Sequence, residues 1–127
     1  SPETLEILRE ALWGVVNSPS GTGGRARVDG FDVAGKTGTA QVVQRKEGRG
    51  DPLLAEHQDH AWFACFAPAR RPEITVVVLI EHGGHGGAAA APVAKKVLEN
   101  YYQRQKTKSP APLKMVLHTP AAGLEDR

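Results

Sequence analysis

Apolar residues recur at Leu5, Leu8, Leu12 and Val15, with Ile7, Ala11 and Val16 widening the stripe. That spacing lines up one face of a helix turn after turn. Ser1-Pro2-Glu3 supplies its start: a capping hydroxyl, a proline where no N–H is needed, and an acid in the first turn. The helix is expected to stop near Asn17, because Ser18-Pro19-Ser20-Gly21-Thr22-Gly23-Gly24 cannot continue it. Residues 25–33 read as a weak, partly extended approach to the run that begins at Gly35-Lys36. The period then changes. Residues 36–44 and 60–67 are extended runs, and 73–81 is a nearly unbroken β-branched stretch. Such a stretch predicts burial on both faces, hence a central strand. The short Pro68-Ala69-Arg70-Arg71-Pro72 link makes the last two strands an antiparallel hairpin. Residues 45–59, polar and broken by Gly48, Gly50 and Pro52, form a loop of a length that is usually functional or disordered.

His82-Gly83-Gly84-His85-Gly86-Gly87 is a flexible break. Residues 88–103 then predict a helix that packs through Val93, Val97, Leu98, Tyr101 and Tyr102, with Pro92 in its first turn. Residues 1–105 are therefore expected to be α+β, with an N-terminal helix, an antiparallel sheet of three strands and a C-terminal helix, the helices flanking the sheet. Residues 106–127, rich in proline and in small or charged side chains, predict a disordered tail.

Composition narrows the function classes. At 127 residues the chain is one domain or part of one. Because it opens directly on a helix start, it is expected to be a segment of a longer protein, with any export signal or anchor outside it. Sixteen basic and 14 acidic residues leave a formal charge of +2, too balanced to argue for nucleic acid. The single cysteine, Cys65, excludes a disulfide framework and sits in an apolar run, as a small core residue does. No apolar stretch approaches the roughly 20 residues of a membrane span. His57, His60, His82 and His85 invite a metal, but they lie on loop or glycine-rich segments without companion ligands at suitable spacing, so no metal and no cofactor are expected. Trp62 and Phe63, on opposite strand faces, read as core and helix-packing residues, and Arg45, Lys46 and Arg49 as a solvated loop.

The candidate chemistry lies in Gly35-Lys36-Thr37-Gly38-Thr39-Ala40-Gln41. On an extended backbone Lys36, Gly38 and Ala40 share one face, and Thr37, Thr39 and Gln41 the other. An ammonium, hydroxyls and unpaired backbone N–H groups beside a glycine suit a carboxylate or a developing oxyanion on an extended peptide. The run Gly30-Phe31-Asp32-Val33-Ala34-Gly35-Lys36-Thr37 also matches the phosphate-loop pattern G-x-x-x-x-G-K-[ST] letter for letter. A phosphate loop needs a buried strand before the first glycine and a helix beginning at the lysine. Here Arg25-Ala26-Arg27-Val28-Asp29 precedes the glycine, and Thr-Gly-Thr-Ala-Gln-Val-Val comes after the lysine, so a nucleotide-binding module is disfavoured.

Placed on a strand, Lys36-Thr37-Gly38 resembles the K-T-G motif of the penicillin-binding proteins, serine transpeptidases with the further motifs S-x-x-K and S-x-N. The surrounding series resembles the same family: Gly14-Val15-Val16-Asn17, Gly21-Thr22-Gly23, Phe66-Ala67-Pro68, the run from Glu81 to Gly87, and Ala88 to Ala94. Over roughly residues 1–103 the likeness is to the C-terminal part of the class B members, most closely the elongation type (penicillin-binding protein 2). It implies a partial transpeptidase (β-lactamase-like) fold, in which this chain supplies the last three of five antiparallel strands and the last helix. It implies catalytic roles for Lys36, in the proton-transfer network, and for Thr39, whose N–H gives half of an oxyanion hole. Substrate binding falls to Thr37, Gly38, Thr39 and Gln41. The implied partners are the D-Ala-D-Ala stem peptide of peptidoglycan, β-lactam antibiotics and a glycan polymerase of the elongation machinery, on the periplasmic side of the inner membrane. None of Ser1, Ser18, Ser20 and Ser109 is followed by lysine three positions on, and no S-x-N occurs. The parent is thus expected to be a D,D-transpeptidase acting through an acyl-serine, and this chain alone to be inactive. The rival readings within the fold are a β-lactam sensor and a class D β-lactamase-like domain.

Overall fold

The computed structural model describes residues 1–41 and 58–108. Helix α1 (Pro2–Asn17) is followed by a 3₁₀ turn (Gly24–Ala26), strands β1 (Ala34–Ala40), β2 (His60–Ala67) and β3 (Ile74–Ile80), and helix α2 (Gly86–Lys108). The strands form one antiparallel sheet in the order β1-β2-β3, with Lys36 opposite Ala64, Gly38 opposite Trp62, Phe63 opposite Val78 and Trp62 opposite Leu79. The α+β arrangement and the succession of elements follow the sequence pattern. The expected positions 42–44 of the first strand, most of the 45–59 loop with Arg45, Lys46, Arg49 and His57, and residues 109–127 of the tail lie outside the described residues.

Period-two alternation builds the core. Along β2, Ala61, Phe63, Cys65 and Ala67 are buried, while Trp62 and Ala64 face the other way. The buried set meets Ala90, Ala91, Ala94 and Leu98 of α2 and Val16 at the end of α1, around a fully enclosed Phe63. Phe31 stacks on Tyr102, with centroids 4.7 Å apart and planes 10° from parallel, which ties the approach to β1 onto α2. Asn17 closes the other side. Its amide donates to Trp13 O at 2.9 Å and to Val33 O at 2.8 Å, so the last turn of α1 is pinned to the residue before β1.

Five sequence expectations change. Among the described residues the β-branched run is an edge strand and not a central one: β3 has a neighbour on one side only, and Val77 and Leu79 face outward. Such a run permits burial on two faces, but burial needs a partner on each, and α2 covers one. The α1 stripe is likewise open at its start, with Leu5 61% and Ile7 68% exposed, because only the C-terminal part of the helix reaches the sheet. Trp62 is 39% exposed on the face away from α2, so it is not a helix-packing residue. On α2 the buried positions are Ala90, Ala91, Ala94 and Leu98, whereas Val93 and Val97 point outward. Small residues let this helix lie close to the sheet, and the valines are left partly exposed, Val97 lining a groove with Ile74 of β3. Finally, α2 begins at Gly86 and runs to Lys108, so Pro92 is interior to it and residues 106–108 are helical. At that end Gln105 donates to the Tyr101 hydroxyl at 2.7 Å, and the Lys106 ammonium lies 4.3 Å from the centre of the Tyr102 ring.

Candidate active site

β1 is an edge strand among the described residues, so alternate N–H and C=O groups on its free side have no strand partner. Beside that edge lies an open cavity of about 750 Å³. Lys36, Thr37, Gly38 and Thr39 form one wall, Gly21, Thr22, Gly24 and Arg25 a second, and His85, Gly86, Gly87 and Ala88 at the start of α2 a third. Gln41, just past the end of β1, is exposed and is not among the lining residues.

Close packing brings the start of α2 to the strand. A Cβ on Gly86 would lie 2.1 Å from Trp62 O and 2.6 Å from Gly38 O, and one on Gly87 would lie 2.3 Å from Thr22 O. Only glycine lets the helix end come this near the backbone of β1 and β2. The turn leading into it is held from the start of β2 and the residue before it: Gly84 N–H donates to Asp59 O at 2.8 Å, and His82 N–H to His60 Nδ1 at 3.0 Å. His82 itself adopts a left-handed φ of 53°. The helix N-terminus, with its positive dipole end, therefore opens on the cavity.

The polar groups form a small network. Thr37 and Thr22 share a hydrogen bond of 2.9 Å between their hydroxyls, and the Lys36 ammonium donates to Thr37 O at 2.7 Å. One hydroxyl proton of the threonine pair is used internally, which leaves the other for a ligand. Two cations, Lys36 and Arg25, line the cavity, and no carboxylate of the described residues does. The arrangement suits an anion held against an extended backbone.

Lys36 sits within a strand and not at the start of a helix, which removes the geometry a phosphate loop requires. Among the described residues no group of three or more His, Cys, Asp or Glu side chains is placed to hold a metal ion. His60 and His82 instead meet edge to face at 4.9 Å. Cys65 is buried, and burial pushes its thiol up to about 11, against a weaker pull downward from the Val76 backbone hydrogen bond. Such a thiol is protonated at neutral pH and takes no part in the cavity chemistry.

Sequence reasoning placed Lys36, Thr37, Gly38 and Thr39 together and missed Thr22, Arg25 and His85 as wall residues. Thr22 stands in the Gly21-Thr22-Gly23 segment, which carried part of the family resemblance but no role. Arg25 carried no local signal, because a glycine-rich turn brings it to β1 and no periodicity does.

Comparison with known proteins accords with this geometry. The model of the penicillin-binding protein transpeptidase domain matches residues 1–99. The peptidoglycan D,D-transpeptidase MrdA of Haemophilus influenzae is 42% identical over 105 residues, which are 80% of this chain and 16% of that protein. Among solved structures, Pseudomonas aeruginosa PBP2 in complex with WCK 5153 superposes with a TM-score of 0.64 at 35% identity, over 80% of this chain and 19% of that one. The ceftriaxone acyl-enzyme complex of penicillin-binding protein A from M. tuberculosis gives a TM-score of 0.59 at 34% identity, over 78% and 21% of the two chains. The chain thus spans about a sixth to a fifth of the length of these relatives. A K-T-G strand edging an anion-suited cavity, in a matching sheet and over nearly the whole described length, places this chain in the penicillin-binding protein transpeptidase family, as a segment of the class B, elongation type.

Proposed function

We propose that this chain is one wall of the active site of a peptidoglycan D,D-transpeptidase. The nucleophilic serine and the S-x-N motif are carried by sequence outside these residues. The observation that supports this most directly is the edge strand bearing Lys36-Thr37-Gly38-Thr39 beside a cavity with two cations and no lining carboxylate among the described residues. In the reaction, a serine Oγ attacks the carbonyl carbon of the penultimate D-alanine of a stem peptide. The bond to the terminal D-alanine breaks, and that residue leaves as the free amine, taking up a proton. An amine of a second stem peptide then attacks the acyl-serine, forms the cross-link and returns the serine to its hydroxyl form.

Within that sequence, Lys36 holds positive charge beside the proton-transfer network and draws in the substrate carboxylate. Thr37 and Thr39 donate hydroxyl protons to the same carboxylate. The Thr39 N–H, on an edge strand fixed by pairing with β2, is half of the oxyanion hole; one preorganised donor there lowers the barrier by about 3 kcal/mol. Gly38 leaves room for the peptide to lie along the strand, and Gln41 extends that contact. β-Lactams enter as acylating mimics of the same donor. The parent works on the periplasmic side of the inner membrane with a glycan polymerase of the elongation machinery. No described helix is long and apolar enough to cross a membrane.

Intact mass after exposure to benzylpenicillin tests the reading, measured on this chain and on a version extended N-terminally along its native gene. The extended protein is expected to gain one covalent adduct, the 127-residue chain none, and Lys36→Ala to suppress the adduct. No adduct on the extended protein would remove the penicillin-recognising role of β1.

A further inference from the structure

Pro92 has no N–H, and in an α-helix that N–H would bond the carbonyl four residues earlier, Ala88 O. The freed carbonyl is occupied: Arg25 Nη1 donates to it at 3.2 Å. The proline that interrupts the α2 ladder thus creates an acceptor at the rim of the cavity, and a guanidinium from the preceding turn takes it. The base of Arg25 is equally fixed. Its neighbour Ala26 is fully buried, and the turn that carries both is tied to α1 by Gly23 N–H donating to Val15 O at 2.9 Å.

A guanidinium carries five N–H donors in a planar fork, and a single one of them is used by Ala88. Arg25 makes no salt bridge with any described residue, and the cavity it lines with Thr22 and Thr37 contains no carboxylate among those residues. Three of its neighbours are preset: the Thr22–Thr37 hydroxyl pair, with one proton to give, and the positive end of α2. A fork, a hydroxyl proton and a helix N-terminus converging on an acid-free space match a planar carboxylate better than any neutral group. Lys36 meanwhile lies against Thr37 O, a point charge without that planar match.

We propose that Arg25 is a substrate-binding residue of the transpeptidase site, taking the free carboxylate of the acyl donor together with the Thr22–Thr37 hydroxyl pair. It is a specificity determinant. It makes a negative charge on the donor a requirement for productive binding, and it leaves the attack on the carbonyl to other groups. The inference rests on the transpeptidase reading of the same cavity.

The test compares second-order acylation rates for benzylpenicillin and its methyl ester, which differ only in the carboxylate, on the protein carrying its complete transpeptidase domain. Arg25→Gln is expected to slow acylation by the acid at least about tenfold, as loss of a charge-assisted bidentate contact does, while the ester rate stays within about twofold. Arg25→Lys should recover part of the acid rate, because charge is kept and the fork is lost. Melting temperatures of the variants should match the parent within a few degrees, since Ala88 is exposed and its carbonyl can bond water. An unchanged acid rate in Arg25→Gln, or equal losses for acid and ester, overturns the assignment. Failure of the unsubstituted protein to be acylated at all would sink the transpeptidase reading, and this assignment with it.

Discussion

Lys36 lies in the middle of a strand, where a charged side chain contributes nothing to packing, and its ammonium reaches only the carbonyl of its own neighbour, Thr37. A residue so placed is free to serve a ligand. Thr37 is different, because its hydroxyl is oriented by Thr22 across the cavity corner. Thr22→Val keeps the shape and removes the partner, leaving the Thr37 hydroxyl free to rotate. Benzylpenicillin acylation of the complete domain should fall several-fold, on the scale of one neutral hydrogen bond worth about 1 kcal/mol, with little change in melting temperature. Cys65 offers a pH signature. The folded chain holds its thiol proton up to about pH 11, whereas the unfolded chain releases it near 9.0. Between those values the native state binds more protons, so stability is intact below about 9 and falls as pH rises toward 11. The drop should be about 2 kcal/mol and absent in Cys65→Ala, read as denaturation midpoints across that range. An identical drop in both proteins would assign it elsewhere.

At the scale of elements, the short distance between the start of α2 and the sheet is the feature that makes the cavity. Gly86→Ala puts a methyl group into Trp62 O and Gly38 O, neither of which can move without breaking the β1–β2 ladder. A cost of about 2–4 kcal/mol is expected from such backbone overlap, together with loss of penicillin acylation in the complete domain. Gly14→Ala is the control inside α1, where a Cβ meets nothing within 4 Å. It should raise stability by about 0.5–1 kcal/mol, because alanine loses less backbone entropy in a helix. Equal effects of the two substitutions, measured by urea denaturation, would mean that α2 does not press on the strands. Helix α1, strand β2 and the glycine break before α2 were legible because their signals are local: a cap with a 3.6-residue period, a two-residue period, and a run of small residues. The true start of α2 was not. Gly86 and Gly87 read as a break in the sequence, yet they open the helix, and they are glycines because the backbone beneath admits no larger side chain.

Among the described residues, one side of the molecule is packed and the other is open. Core packing lies between α2, the end of α1 and the inner face of the sheet, while Trp62, Val77 and Leu79 cover the outer face and Leu5, Ile7 and Leu8 the start of α1. Among the described residues β3 has no strand on its outer side, which adds unpaired backbone groups to that apolar face. Under the transpeptidase proposal, these faces are where sequence outside this chain packs. Alone, the chain is expected to self-associate, and sedimentation velocity should show a weight-average mass rising with concentration. The N-terminally extended domain should sediment as a concentration-independent species. A clean monomer of the 127-residue chain at high concentration would show that these faces tolerate water.

The order and type of the elements, the faces of β2, and the family through a K-T-G strand set among glycine-rich landmarks were all written in the amino-acid order alone. Each of these depends on residues close along the chain, where propensity and periodicity act directly. Which residues share a cavity, which apolar stripes find partners and which strand is an edge emerged only when the layers packed. Thr22 meets Thr37 and Arg25 meets Ala88 across separations of 15 and 63 residues. A β-branched run or an amphipathic stripe states a capacity for burial, and only the layers around it decide whether that capacity is met.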